Sequence, residues 1–236
     1  MIKWEFDLLA KDQQSGLIIF AGAYGSGKSE IALNYALQRV MAEPGLMLAD
    51  LDMVNPYFAS RDVQELLAAS GIRLLAPRPD LSFGDVPSLP TEILGLIKDG
   101  AHMIIDVAGD EFGALVLGYL SRYIIARQDY SFYLVINPYR PFTENLADVV
   151  ETRALIEQAA RIPYTGIISN PNLLEETDQA IILAGHRQVC EYAAELELPV
   201  SALAVNAPFY EQLISCELEV PLLQLELYLR PGWLRG

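Results

Sequence analysis

The chain has 236 residues, 52% of them hydrophobic and 20% charged, and its 31 acidic against 16 basic side chains give a formal charge of −15. That composition suits a large buried core and excludes disorder, which needs the opposite balance. It also excludes a nucleic-acid-binding surface, which needs clustered Lys and Arg, and disfavours an anionic membrane surface, but one small basic pocket would still suffice for a nucleotide phosphate.

The first segment, Ile2 to Leu8, alternates apolar and polar residues, the period of a half-buried strand. It carries Glu5 and Asp7 and is not a signal peptide. Leu17–Phe20 is a buried strand, followed by a helix over Lys28–Met41 and a second strand over Leu46–Ala49. Arg61–Ala69 reads as helix with Gly71 as its C-cap, and Ile72–Ala76 as the third strand. A helix capped by Thr91 and ending at Lys98 precedes the fourth strand, Met103–Val107. A helix from about Phe112 to Arg127 leads to the fifth, Phe132–Ile136. Thr143 opens a helix to about Arg161, Thr165–Ser169 is the sixth strand, Thr177 opens a helix to about Leu196, and Val200–Val205 is the seventh strand. Leu223, Leu225, Leu227 and Leu229 again alternate with polar residues, as a strand or, by Leu and Glu propensity, a helix. The two strand-like segments, about 1–10 and 220–230, are candidates to pair with each other or with a sister subunit.

Apolar strands alternating with helices predict an α/β fold, a three-layer αβα sandwich with a mostly parallel, doubly wound sheet. No linker interrupts it, so residues 1–236 read as one domain. No apolar run reaches the ~18 residues of a membrane span. Cys190 and Cys216, far apart and without a CxxC, read as reduced residues of a cytoplasmic protein.

Gly22-Ala23-Tyr24-Gly25-Ser26-Gly27-Lys28-Ser29, followed by Glu30, fits GxxxxGK[ST] between a strand and a helix, the Walker A phosphate-binding loop. Its glycines let backbone N–H groups surround phosphates, Lys28 reaches the β- and γ-phosphates, and the Ser29 hydroxyl takes Mg²⁺. Asp106 closes the fourth strand and begins a DxxG ending at Gly109, whose amide would meet the γ-phosphate; Asp50 and Asp52 close the second.

A P-loop, then Asp-x-Asp, then a hydrophobic strand with DxxG, then a strand ending in Asn: in this order the chain from about Leu17 to Pro208 resembles the MinD/ParA/NifH (SIMIBI) group of P-loop ATPases, the CobQ/CobB/MinD/ParA type. The resemblance implies ATP/ADP and Mg²⁺ as ligands, with Ser29, Asp50, Asp52 and Asp106 around the metal. Lys28, Asp52 and Asp106 would be the catalytic set, with Asp52 orienting the attacking water. Asn170 would read adenine, and the loop Asn206-Ala207-Pro208 would close over the base. It further implies a homodimer and a slow ATPase that acts as a switch on a protein partner. The sequence departs from the group at Ala23, where many members carry a Lys acting across the dimer, and it lacks a polybasic membrane-targeting tail. Neither Cys stands where a cluster ligand would. Arg61, Arg78 and Arg140 are the cations nearest the strand edge by position. Asn137–Phe142 reads as a strand-to-helix loop, the stretch from Arg78 to Pro90 as a lid, and Met53–Arg61 as a switch segment. The alternative function is a small-molecule kinase or ATP-dependent ligase resembling dethiobiotin synthetase, with a pocket from Asn55, Tyr57, Arg61 and Arg78.

Overall fold

The computed structural model describes residues 15–52, 58, 61–76, 92–109 and 111–229, without the side chains of 111 and 112. The 1–10 segment, Thr91, Arg78, most of the 53–60 stretch and the 77–90 stretch fall outside the described residues.

Eight strands form one sheet: β1 (Leu17–Ala21), β2 (Met47–Asp50), β3 (Arg73–Leu75), β4 (Met103–Asp106), β5 (Tyr130–Ile136), β6 (Gly166–Ser169), β7 (Val200–Asn206) and β8 (Leu222–Leu225). Their spatial order is β3-β2-β4-β1-β5-β6-β7-β8, and every recorded pair is parallel. The helices are α1 (Lys28–Arg39), α2 (Arg61–Ala69), α3 (Ile93–Lys98), α4 (Glu111–Arg127), α5 (Leu146–Ala160), α6 (Gln179–Glu195) and α7 (Ala207–Leu213).

The central strands are apolar throughout because both faces are covered. Leu17, Ile19 and Ala21 of β1 join the core under α3, α4, α5 and α6, whereas Ile18 and Phe20 join the core under α1 and α2. Each such Leu, Ile or Phe side chain, moved fully out of water, stabilises the fold by roughly 1.5–3 kcal/mol. Gly118 of α4 lies where a Cβ would come 2.2 Å from the carbonyl oxygen of Ala159, so that glycine sets the close approach of α4 and α5.

Several boundaries differ from the sequence reading for local reasons. The cap of α5 is Asn145, whose side chain accepts from Asp148 N at 3.0 Å. Thr143 instead bonds the Asn137 carbonyl with its hydroxyl at 2.6 Å. Asp178, not Thr177, caps α6, accepting from Ile181 N at 2.7 Å, while the Thr177 hydroxyl accepts from Leu173 N. Asn206-Ala207-Pro208 is not a loop: Asn206 ends β7 and caps α7, with Pro208 in its first turn. The 220–230 segment is a strand only over Leu222–Leu225, and it pairs in parallel with β7 of its own chain.

Candidate nucleotide-binding site

The strand order reverses at β1, which lies between β4 and β5, and ligands of such sheets bind at the carboxyl edge beside that reversal. The loop from Gly22 to Gly27 occupies this place. Gly25 and Gly27 have φ of 78° and 90°, the left-handed region where a Cβ is strained. A Cβ on Gly22 would meet the Val135 carbonyl oxygen at 2.4 Å. The loop therefore needs its glycines, and it leads into the N-terminus of α1 with Lys28 and Ser29 buried. Ala23 is buried, and Tyr24 is exposed.

Parallel register brings the acids to the same edge. Asp106 lies beside Phe20 of β1 on one side and beside Asp50 of β2 on the other. Both carboxyls are buried, and Asp52 is buried next to them. Burial pushes Asp106 up to about 6, opposed by the charge of Lys28 and a hydrogen bond with Ser29 and reinforced by Asp52. Asp50 is pushed up to about 8 by burial and by Asp106, against its bonds from backbone N–H groups. Those donors are Asp52 N at 2.9 Å and Phe58 N at 3.4 Å, one on each oxygen of Asp50. Asp50 thus holds the turn that carries Asp52.

The second half of the site closes onto the first. A Cβ on Gly109 would lie 2.9 Å from Tyr24 N and 3.0 Å from Lys28 Nζ. The DxxG segment therefore meets the 22–29 loop directly. One oxygen of Asp106, Oδ1, is buried without a hydrogen-bond partner. An orphaned carboxylate oxygen beside a Ser hydroxyl fits Mg²⁺, which takes few protein ligands and keeps several waters. Among the described residues no cluster of three His, Cys, Asp or Glu is arranged for a metal, so a cation here would rely on Ser29, the acids, water and phosphate.

Both aspartate shifts are upward, so the folded chain retains protons that the unfolded chain releases. Their contribution to stability is full below 3.8 and is lost as pH rises through about 6 for Asp106 and about 8 for Asp50. Urea unfolding without metal or nucleotide should accordingly show lower stability at about pH 8.5 than at about pH 5.5. Asp50→Asn should flatten the upper part of that profile; an unchanged profile would contradict the protonated Asp50.

Beyond the loop lies a cleft of about 310 Å³, bounded by Gly25, Gly27 and Glu30 on one side and by Asn137, Asn170 and Asn206 at the ends of β5, β6 and β7. Asn170 borders the cleft with part of its amide already engaged. Its Nδ2 donates to Ser26 O at 2.7 Å and packs against Gly27, tying the β6 edge to the 22–27 loop. Asn137 latches two loops, donating to Asn172 O at 2.8 Å and accepting from Tyr139 N at 3.1 Å. Arg140 borders the cleft next to Gly25, and its buried Nε has no hydrogen-bond partner. Arg61, by contrast, is exposed and paired with Glu65. Pro208 is exposed in α7 and does not border the cleft.

Three lining features escaped the sequence reading: Glu175, Asn172 and the row Leu225, Leu227 and Leu229. Glu175 follows Asn170 at five residues, a spacing no short motif singles out. The leucines were visible as an alternation, but nothing local showed what they faced.

No family model matches the sequence, and no curated protein matches it. Solved structures do match in fold. The cell division protein FtsY of Thermotoga maritima aligns with a TM-score of 0.53 at 16% identity over 80% of this chain and 61% of its own. FtsY of Mycoplasma mycoides gives 0.53 at 14% identity over 81% and 60%. FlhF complexed with GTP/Mg²⁺ gives 0.50 at 16% identity over 79% and 64%. The chain thus spans less than two thirds of the length of these matches. The likeness is one of fold: a parallel sheet with helices on both faces, shared with FtsY and FlhF.

Proposed function

We propose that the chain is a Mg²⁺-dependent ATP-binding switch of the MinD/ParA type with slow hydrolysis, acting on a protein partner. The observation that carries this is the meeting of Lys28, Gly109 and the orphaned Asp106 oxygen at the mouth of a phosphate-binding loop. Lys28 would hold the β- and γ-phosphates, Ser29 and Asp106 the metal shell, and Asp52 the attacking water. Bound Mg²⁺ supplies charge neutralisation at the phosphates. The backbone amides of the 22–29 loop and the α1 N-terminus orient the triphosphate. Besides Lys28, Arg140, whose Cδ lies near Gly25 and which borders the cleft, is a described cation placed to meet the ligand. With Ala23 in place of the trans-acting Lys, hydrolysis by the isolated chain should be slow.

Adenine is the proposed base, because neither Asn137-Pro138-Tyr139-Arg140 nor Asn170-Pro171-Asn172-Leu173 carries the acid of the Asn-Lys-x-Asp guanine motif. One observation favours GTP as a second reading: Glu175 borders the cleft. A competition titration decides between them, with ATP displacing a labelled nucleotide at the lower concentration if the base is adenine. If GTP displaces first and Glu175→Gln abolishes the preference, the second reading stands.

The proposed switch works as a homodimer. Light scattering should show self-association with a non-hydrolysable ATP analogue and less with ADP. A strict monomer with both, together with phosphate transfer to a small molecule at ~10 s⁻¹, would favour the kinase reading. No helix among the described residues is long and apolar enough to cross a membrane.

A further inference from the structure

The polar edge of α1 carries Glu30, Asn34 and Gln38, four residues apart and therefore on one face. All three bond the backbone of the segment that begins in β8. Gln38 Nε2 donates to Gln224 O at 3.0 Å. Asn34 donates to Glu226 O at 2.8 Å and accepts from Glu226 N at 2.8 Å. Glu30 accepts from Tyr228 N at 2.7 Å and from Leu229 N at 3.1 Å, one on each carboxylate oxygen.

The two spacings match. Four helical residues rise about 6 Å, and two extended residues span about 6.6 Å. The segment can therefore run along α1 toward its N-terminus and keep a bond at every second residue. Its backbone polar groups, which would otherwise lack a strand partner, are satisfied by side chains. That path brings Leu227 and Leu229 to the mouth of the phosphate-binding loop. Leu225, Leu227 and Leu229 form the apolar wall of the 310 Å³ cleft. Leu229 also borders a smaller cavity of about 190 Å³ with Lys28 and Ser29.

We infer that the 225–229 segment is the outer wall of the nucleoside subsite, and that Glu30, Asn34 and Gln38 are positioning residues that set it in place. This rests on the nucleotide-binding reading above. A nucleoside needs an apolar surface on one side and a few placed polar groups on the other. The leucines supply the first, and Asn170 and Asn206 at the ends of β6 and β7 border the cleft and supply the second. Glu30 explains why the wall is tied to the phosphate loop. It follows Ser29 in the first turn of α1, where a bare carboxylate would repel a phosphate. The amides of Tyr228 and Leu229 instead bind both of its oxygens. Wall and phosphate site are thus coupled: losing the segment removes the apolar surface and uncovers the charge.

The test compares ATP, GTP and inorganic tripolyphosphate as ligands of the wild type, of the double variant Leu227→Ala/Leu229→Ala, and of Asn34→Ala, whose side chain lies along α1 away from the cleft. Losing the apolar wall should weaken the preferred nucleotide about tenfold or more and leave tripolyphosphate within about twofold. Asn34→Ala should speed hydrogen exchange at the amides of residues 226, 228 and 229 and weaken the same nucleotide. In the wild type that nucleotide, but not tripolyphosphate, should slow those amides. Equal loss of both ligand types in the double variant, unchanged nucleotide affinity in both variants, or exchange at 226–229 indifferent to nucleotide would overturn the inference while leaving the phosphate site standing. A wild type that binds none of the three ligands overturns the nucleotide reading and this inference with it.

Discussion

Replacing Lys28 with Ala should lower ATP affinity roughly 10- to 150-fold. The ammonium is buried at the first turn of α1 and close enough to Asp106 to oppose that group's upward shift. A Cβ on Gly109 would lie 3.0 Å from Nζ, so the amine points into the space between the loop and the DxxG segment. A charge-assisted contact to phosphate is worth about 1.5–3 kcal/mol, which sets the range. The loss should appear in calorimetry as weaker binding of ATP and ADP alike. Because the variant also removes the charge that opposes the burial of Asp106, its effect on fold stability has to be read separately by thermal unfolding. Equal ATP affinity in the wild type and a folded Lys28→Ala would remove the loop from the binding site.

Two of the acids should separate by role, with the larger effect on rate. Asp52→Asn should lower turnover by roughly 10²–10⁴-fold, the usual contribution of a positioned proton acceptor, and leave ATP affinity within about twofold. Orientation of water matters in the transition state and hardly in the ground state, so kcat falls while binding holds. Asp106→Asn should act on binding instead. Its orphaned Oδ1 is the acceptor offered to a metal shell, and the substitution halves that acceptor capacity. ATP affinity with Mg²⁺ should then fall toward the value measured in a chelator. Steady-state phosphate release and calorimetry, each with and without Mg²⁺, measure both variants. Indistinguishable affinities and rates for the two would show that the acids act as one unit.

The parts of this site that were legible in the sequence are those whose chemistry is local. Gly25 and Gly27 announce left-handed backbone, Lys28 and Ser29 stand at a fixed distance from them, and a strand precedes and a helix follows. Asp50 and Asp106 were legible as strand ends, and parallel pairing then had to place them side by side. What the sequence could not show was competition for the same group. Asn170 has the position of a base reader, and its Nδ2 also donates to Ser26 O, which no local pattern announces. Thr143 and Thr177 are plausible caps, but Asn145 and Asp178, two and one residues on, make the capping bonds. The Asn206-Ala207-Pro208 stretch contained the signal for a helix start, a Pro in the first turn, which the loop reading overlooked. The leucine alternation ending at Leu229 fitted a strand or a helix, and it is a strand only over Leu222–Leu225. Its last residues leave the sheet because Glu30 and Asn34 bind their backbone across 192 to 199 residues of sequence. No local pattern encodes a pairing of that separation.

The most direct test of the central claim is a calorimetric titration of ATP into the wild-type chain, run once with Mg²⁺ and once with a chelator. A saturable site with one nucleotide per chain, tighter with Mg²⁺, is the result expected from Lys28, Ser29 and Asp106 meeting at the loop. No binding under either condition, or binding that the metal leaves unchanged and Lys28→Ala does not weaken, would contradict it.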